Sequence, residues 1–360
     1  MRRTLLYVII LALLGFSIYY FIFRGSSSPY DPAEAGFTVK DTASIGKLFL
    51  AANDGESITV ERTDSGWIVN KQYKALPSSL NLVMTTLNQQ AALYPVTKGA
   101  YENVVKELST DGVKVEVYDR AGKKMRVFYV GGAAINNSGT NMMMDKAGTP
   151  YVVQIQGFTG YLTPRFSTKL RDWRDRTVFN IPADEIKSVS VQYAANPLNS
   201  FVITRDNGTV KMDADPQITK TLDGFNARRA GVYLKYFTNI NCEGYLNGLQ
   251  DMDTTIRSAP RQSSIDVTGI HGQHQHVDIY WMALNKRSKN RTVSNPDVPD
   301  DYDSDRLYAI INNSKDTVLI QQFIFRNIFH KAFEFYQKDD APATDEHKPR
   351  PKNLIYQKNQ

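Results

Sequence analysis

The sequence predicts an α+β protein of two tandem homologous units, each made of antiparallel β-meanders with a covering helix, preceded by one transmembrane helix. Three observations lead there. Short runs rich in Val, Ile, Thr and Tyr alternate with polar residues between turn-forming clusters, in a chain of 360 residues with 20 Tyr and 17 Phe. The order of those runs in the first half recurs in the second. The first apolar run, Leu5 to Phe23, contains no Asp, Glu, Lys, Arg or His.

That run reads LLYVIILALLGFSIYYFIF, and at the helical rise its nineteen residues reach roughly 28 Å, close to the roughly 30 Å hydrocarbon core of a bilayer. Arg2 and Arg3 precede it and Arg24 follows it, so the positive-inside tendency puts the N-terminus in the cytoplasm. The expected address is the inner membrane, single-pass, with the C-terminal domains in the periplasm. A cleaved signal peptide is the rival reading: Gly25 and Ser27 supply small residues near a cut, but Arg24 sits badly between apolar core and cleavage site. Cys242 is the only cysteine, which excludes an intramolecular disulfide, a thiolate metal cluster and a lipid-bearing thiol after the apolar run. The formal charge of +6 comes from interspersed residues of both signs rather than a basic stripe, so nucleic acid is not an expected partner.

Taken in order, the anchor is expected over 1–24 and a flexible tether over 25–40, where Ser, Pro and Gly dominate without apolar periodicity. The first repeat is expected over 41–176. Its runs at Ile45–Leu50, Ser57–Arg62 and Gly66–Val69 alternate in period two and are parted by Asn-Asp-Gly and Asp-Ser-Gly. Pro77, with Ser78 or Ser79 as cap, opens a helix whose one face carries Leu80, Val83, Met84, Leu87, Ala91 and Tyr94. Strands resume at Val113, Met125, Thr140 and Tyr151, and a piece from Phe158 to Trp173 closes the unit. Met142, Met143 and Met144 fit strand packing rather than a soft-metal site.

The second repeat, 177–337, follows the same plan. Ile186 answers Ile45, Phe201–Arg205 answers Ile58–Arg62, and Asp215-Pro216 caps a helix carrying Ile218, Leu222, Phe225, Tyr233 and Phe237. The runs at Ser264, Val277, Leu307 and Val318 answer those at Val113, Arg126, Asn141 and Val152. The offset grows from 141 residues (Ile45 to Ile186) to 166 (Val152 to Val318), which places insertions in loops of the second copy. The junction Arg171–Arg176 alternates charge around Trp173 and reads either as a rigid post or as a solvated linker. The tail, 338–360, is charged and poor in apolar residues and is expected to be disordered.

The membrane helix followed by Ile45–Leu48, Trp67–Val69, the Pro77 helix, Val130-Gly-Gly, Tyr151-Val-Val, Gly157–Phe166, Arg171–Arg176 and Ile186–Val189 resembles the domain-of-unknown-function 4340 family over most of residues 41–337. The resemblance implies a bacterial envelope protein, Bacteroidetes-like, of the kind found beside or fused to ABC-type transport components linked to gliding motility. It implies no catalytic residue.

Three constellations carry chemistry worth weighing. His271, His274 and His276 are spaced as imidazole ligands for Zn or Cu, yet by the repeat they fall in a hairpin turn, and a solvated polar turn is the favoured reading. Asp301, Asp303 and Asp305 alternate as at the start of a calcium loop, but Arg306 and Asn312 stand where Gly and Glu would be needed, which favours an acidic loop over Asn295–Asp305. No Gly-x-Ser-x-Gly or His-Glu-x-x-His pattern occurs. From Phe323 to Tyr336 a helix is expected with aromatics all round, making Phe323, Phe325, Phe329 and Phe333 interaction candidates.

The expected function is a non-enzymatic structural or accessory subunit of a bacterial envelope assembly, of the transport or gliding-motility kind. It would be anchored in the inner membrane by Leu5 to Phe23, bound to an envelope protein partner and in need of no cofactor. The alternative is an extracytoplasmic ligand-binding module using the cleft between repeats for an ion or glycan. A hydrolase with an unrecognised site is the third.

Overall fold

Alternating side chains dominate the architecture, as the runs of period two require. The computed structural model describes residues 12–16, 31–135, 137–222, 224–288, 298–311 and 315–336. It is a mixed α+β structure, with two large sheets whose pairings are all antiparallel and several helices. The chain divides into two units, Met1–Asp175 and Arg176–Gln360.

The first unit contains β1 (Ile45–Ala52), β2 (Ser57–Thr63), β3 (Gly66–Val69), β4 (Tyr73–Lys74), α1 (Pro77–Gln89), β5 (Gln90–Pro95), α2 (Lys98–Thr110), β6 (Val113–Asp119), β7 (Lys124–Ala133), β8 (Thr140–Met144), β9 (Tyr151–Ile155) and α3 (Leu170–Trp173). The sheet order is β4-β3-β2-β1-β6-β7-β8-β9-β5. Leu48, Leu50, Val60, Val117, Phe128 and Val130 share the inner face and bury themselves against Val83 and Leu87 of α1. Met142 joins that core at 0% exposure while Met143 faces the other way, opposite Tyr129.

Three expectations are corrected here. Helix α1 has Leu76, not a serine, at its cap, with Pro77 in the first turn; the Ser79 hydroxyl instead donates to the Asp172 carbonyl at 2.6 Å. The helix also ends at Gln89, so Ala91 and Tyr94 lie on β5, where pairing with β9 outweighs their helical spacing. Residues 31–40 of the expected tether are packed onto the first sheet. Ala35, Phe37 and Val39 alternate in an extended segment and are buried, Val39 N–H donates to Leu87 O at 2.8 Å, and Gln90 Nε2 donates to Phe37 O at 2.8 Å. Apolar residues at every second position can fill a sheet-covering role even where Pro and Gly precede them. Residues 25–30 of the tether lie outside the described residues.

The junction belongs to the first unit as far as Asp175. Trp173 is buried, its indole N–H donates to Ser167 O at 2.6 Å, and the Arg174 guanidinium lies 4.0 Å from the Tyr73 ring centroid.

The second unit contains β10 (Thr177–Phe179), β11 (Ile186–Tyr193), β12 (Phe201–Asp206), β13 (Thr209–Ala214), α4 (Pro216–Thr221), α5 (Ala227–Tyr233), β14 (Ile240–Asn241), β15 (Gly244–Tyr245), α6 (Met252–Ser258), β16 (Arg261–Gly269), β17 (His274–Ala283), β18 (Tyr302–Ile311), β19 (Asp316–Gln321) and α7 (Gln322–Phe325). Its large sheet runs β13-β12-β11-β16-β17-β18-β19-β15, and β10 pairs with β14 separately. The helix expected from Asp215 to Phe237 is broken: Gly224 takes φ +83°, and Asn226 starts a new helix by accepting the Arg229 N–H at 2.9 Å.

The expected helix over Phe323–Tyr336 is likewise two short pieces, α7 and a 3-10 turn at Ala332–Tyr336. Phe325 and Phe335 are fully buried, in an aromatic core with Tyr233, Phe201 and Phe179. Phe329 is half-buried against the same core, whereas Phe323 is 67% exposed under Arg326 and Phe333 is at the margin of exposure. Of the four interaction candidates, Phe325 is therefore a core residue, the buried position of the one-turn helix α7.

Among the described residues no helix is long and apolar enough to cross a membrane. Of the Leu5–Phe23 run only residues 12–16 are described, and they are helical; the rest of the run and the tail 338–360 lie outside the described residues.

Candidate functional site

A strand with one apolar and one polar face leaves its polar side chains on the side of the sheet away from the core, where their neighbours are set by register. On β16, Ile265 and Val267 point into the core and Ser264, Asp266 and Thr268 point out. On β17, Val277 and Ile279 point in and His274, His276 and Asp278 point out. The register pairs Asp266 with His276, Ser264 with Asp278 and Thr268 with His274.

The result is a ladder of alternating charge. His276 Nδ1 lies 2.8 Å from Asp266 Oδ1 and its Nε2 lies 3.2 Å from Asp278 Oδ2. His274 Nε2 approaches the same Asp266 oxygen at 3.2 Å, and Arg261 Nη1 reaches Asp278 Oδ1 at 3.5 Å. Burial pushes the His276 imidazole down, but its bonds to Asp266 and Asp278 outweigh that and hold its pKa above the ordinary histidine value. A carboxylate stands at each ring nitrogen, so the protonated imidazole can donate from both.

The first sheet carries a counterpart at the same register. Ile45 pairs with Asp119 as Ile186 pairs with Gly269, so Glu116 and Asp266 stand the same three residues back along their strands. Glu116 is 6% exposed. It accepts from Lys114 Nζ at 2.8 Å, Lys124 Nζ at 3.3 Å and the Tyr118 hydroxyl. Burial pushes its carboxyl upward, but the bonds from Lys114, Tyr118 and Lys124 prevail and hold it at about 2. Both sheets thus place a carboxylate at this point and surround it with donors. The first uses ammonium groups and a phenol, the second imidazoles.

The histidine candidates are therefore divided. His274 and His276 belong to the ladder on a strand face, not to the expected turn; only His271 occupies the turn, where its N–H donates to Gln273 Oε1 at 3.0 Å. The acidic candidates are divided too. Asp303 is 3% exposed; its Oδ1 accepts the N–H groups of Asp305 at 2.8 Å and Arg306 at 3.1 Å, and its Oδ2 accepts from Asn285 Nδ2 at 3.4 Å. Asp301 is exposed ahead of β18 and Asp305 is on the strand, so the expected acidic loop becomes strand from Tyr302 onward; residues 295–297 lie outside the described residues. Among the described residues no group of three His, Cys, Asp or Glu side chains is arranged to hold a metal ion.

Glu116, Lys114, Lys124, Asp266 and Asp278 were not singled out by sequence reasoning. The spacing of two between Lys114 and Glu116, and between His276 and Asp278, is visible in the sequence, but it is shared by many solvated strands. A further ion pair, Glu243 with Arg306, is bidentate, with Gln321 Nε2 donating to Glu243 Oε2 at 3.1 Å; Arg306 draws the Glu243 carboxyl below its usual range.

Residues 105–260 match the family model described as Domain of unknown function (DUF4340), from within α2 to the residue before β16. No curated protein and no solved structure matches the chain.

Proposed function

From the match of residues 105–260 to the DUF4340 family model, we propose that the chain is a non-enzymatic, membrane-anchored accessory subunit of a bacterial envelope assembly of the transport or motility kind. The observation that carries the reading is the setting of two acid–base groups on the sheet faces. Lys114, Lys124 and Tyr118 converge on Glu116, and Asp266 and Asp278 take the two ring nitrogens of His276, so the two serve as ionic staples of two sheet faces rather than as groups exchanging protons with a substrate. The uncharged run Leu5 to Phe23 supports an inner-membrane anchor with the remainder in the periplasm.

The matching strand orders, β2-β1-β6-β7-β8-β9-β5 and β12-β11-β16-β17-β18-β19-β15, support reading the units as tandem homologous copies. In each, the last strand of the order precedes the central pair in sequence, a connection that two unrelated meanders have no reason to share.

The test is alkaline extraction of envelopes containing the full chain, followed by cross-linking in intact cells and identification of the adducts. The expected result is retention in the membrane pellet and an adduct with an envelope transport or motility protein. Release into the soluble fraction refutes the anchor, and cross-links to no other envelope protein refute the accessory role.

A further inference from the structure

Strand β13 ends the large sheet of the second unit, and among the described residues it pairs with β12 alone. The two strands meet at Asn207-Gly208, whose φ angles of 46° and 80° belong to a type I′ hairpin. The residues flanking such a turn, Asp206 and Thr209, form a hydrogen-bonded pair, and the pattern alternates from there. Thr209, Lys211 and Asp213 therefore direct their backbone groups to β12, while Val210, Met212 and Ala214 direct theirs away from the sheet. The side chains divide the same way across the faces. Val210, Met212 and Ala214 are half-buried against the core, and Lys211 and Asp213 are exposed on the outer face, opposite uncharged Thr204 and Val202. At the corresponding edge of the first unit, β3 is continued by β4 and then by a bridge from Ala75 to Arg174.

We propose that β13 is a self-association edge, pairing antiparallel with β13 of a second copy of this chain in the register centred on Met212. Only residues with outward backbone groups can form the hydrogen-bonded pairs of a new ladder, so Val210, Met212 and Ala214 must meet one another and the register shifts in steps of two. Centred on Met212, Val210 faces the second copy's Ala214 and Lys211 faces the second copy's Asp213, twice by symmetry. One step in one direction sets Lys211 against Lys211, and one step in the other sets Asp213 against Asp213. A single register makes unlike cross-strand pairs, and both neighbours are penalised by like charges. The patch is its own complement, which is the requirement of an isologous interface. The proposal is independent of the accessory role, since an edge can pair with its own copy whatever else the chain binds.

The test uses the full chain in mild detergent, with sedimentation measured over a wide range of concentration. A reversible dimer is expected. Lys211→Asp alone and Asp213→Lys alone should each weaken it on the order of tenfold, because each change converts two attractive pairs into two repulsive ones. The double change, Lys211→Asp with Asp213→Lys, exchanges the charges and should restore wild-type dimerisation, an effect that a general loss of fold cannot imitate. Both side chains are exposed, so melting temperatures of the dilute variants should match the wild type. The second measurement is oxidation of the Lys211→Cys, Asp213→Cys double variant. Facing non-hydrogen-bonded residues have Cα atoms roughly 4.5 Å apart, within disulfide reach, and the native Cys242 is buried. A covalent dimer is expected. A wild type that stays monomeric at every concentration, a dimer indifferent to the single changes or not rescued by the double one, or a folded cysteine variant that does not cross-link overturns the proposal.

Discussion

Replacing Glu116 by Gln keeps the side chain's shape while removing the charge that Lys114, Lys124 and Tyr118 converge on. Its carboxyl is held at about 2 against an ordinary 4.5. Because the folded value is depressed, the ionised form stabilises the fold; that contribution is complete above about 4.5 and is lost as pH falls toward 2. The shift from 4.5 to about 2 corresponds to about 3 kcal/mol at roughly 1.36 kcal/mol per pKa unit. Lys114 and Lys124 are 37% and 55% exposed, and solvent screening of those partners lowers the expectation to about 2 kcal/mol. Urea unfolding of the wild type and Glu116→Gln at a series of pH values from neutral to about 2 reads it out. The variant should be the less stable by about that amount at neutral pH, and the gap should close through the acid range. A gap of constant size across the series, or no gap at neutral pH, would refute the assignment of Glu116 as an ionic staple.

The ladder of the second sheet should respond in the opposite sense. His276 has a raised folded pKa, so its contribution is fully present below the unfolded value near 6.5 and is lost as pH rises through the folded one. His276→Gln should therefore cost most stability on the acid side of neutrality, measured as urea midpoints between about pH 5 and 8; a cost that grows with pH contradicts the donor role of both ring nitrogens. The two aromatic candidates divide by burial. Phe325→Ala should lose about 3 to 5 kcal/mol from the second unit, while Phe323→Ala, at a residue 67% exposed under Arg326, should lose under about 1 kcal/mol. Thermal melts showing equal losses at the two positions would overturn that division.

Much of the fold was legible in the chain because strand alternation and turn residues are local properties. The runs at Ile45, Ser57, Val113, Tyr151, Ile186, Ser264 and Val318 all fall within strands, and their inward residues are those with apolar side chains. Helix extents were less legible. Gln90 to Pro95 carries residues at helical spacing yet pairs with β9, and the stretch after Asp215 holds a break at Gly224 and Asn226 that periodicity passes over. Residues 31–40 misled in the other direction, since Ala35, Phe37 and Val39 are too few to signal a strand but enough to fill the space beside Phe128.

What the sequence by itself determined is which side chains share a face: His274, His276 and Asp278 are two apart, and so are Lys114, Glu116 and Tyr118. Which of them meet was decided only by the tertiary structure. Asp266 finds His276 because β16 and β17 pair in one register, and a slip of one residue would have turned His276 toward the core and left Asp266 facing solvent. The same holds at β13, where Lys211 and Asp213 are two ordinary exposed charges in the chain and become a self-complementary pair only once the sheet ends there. Face is set by local geometry with a period of two, whereas neighbours and edges follow from pairings between distant parts of the chain, and no short stretch of sequence contains those.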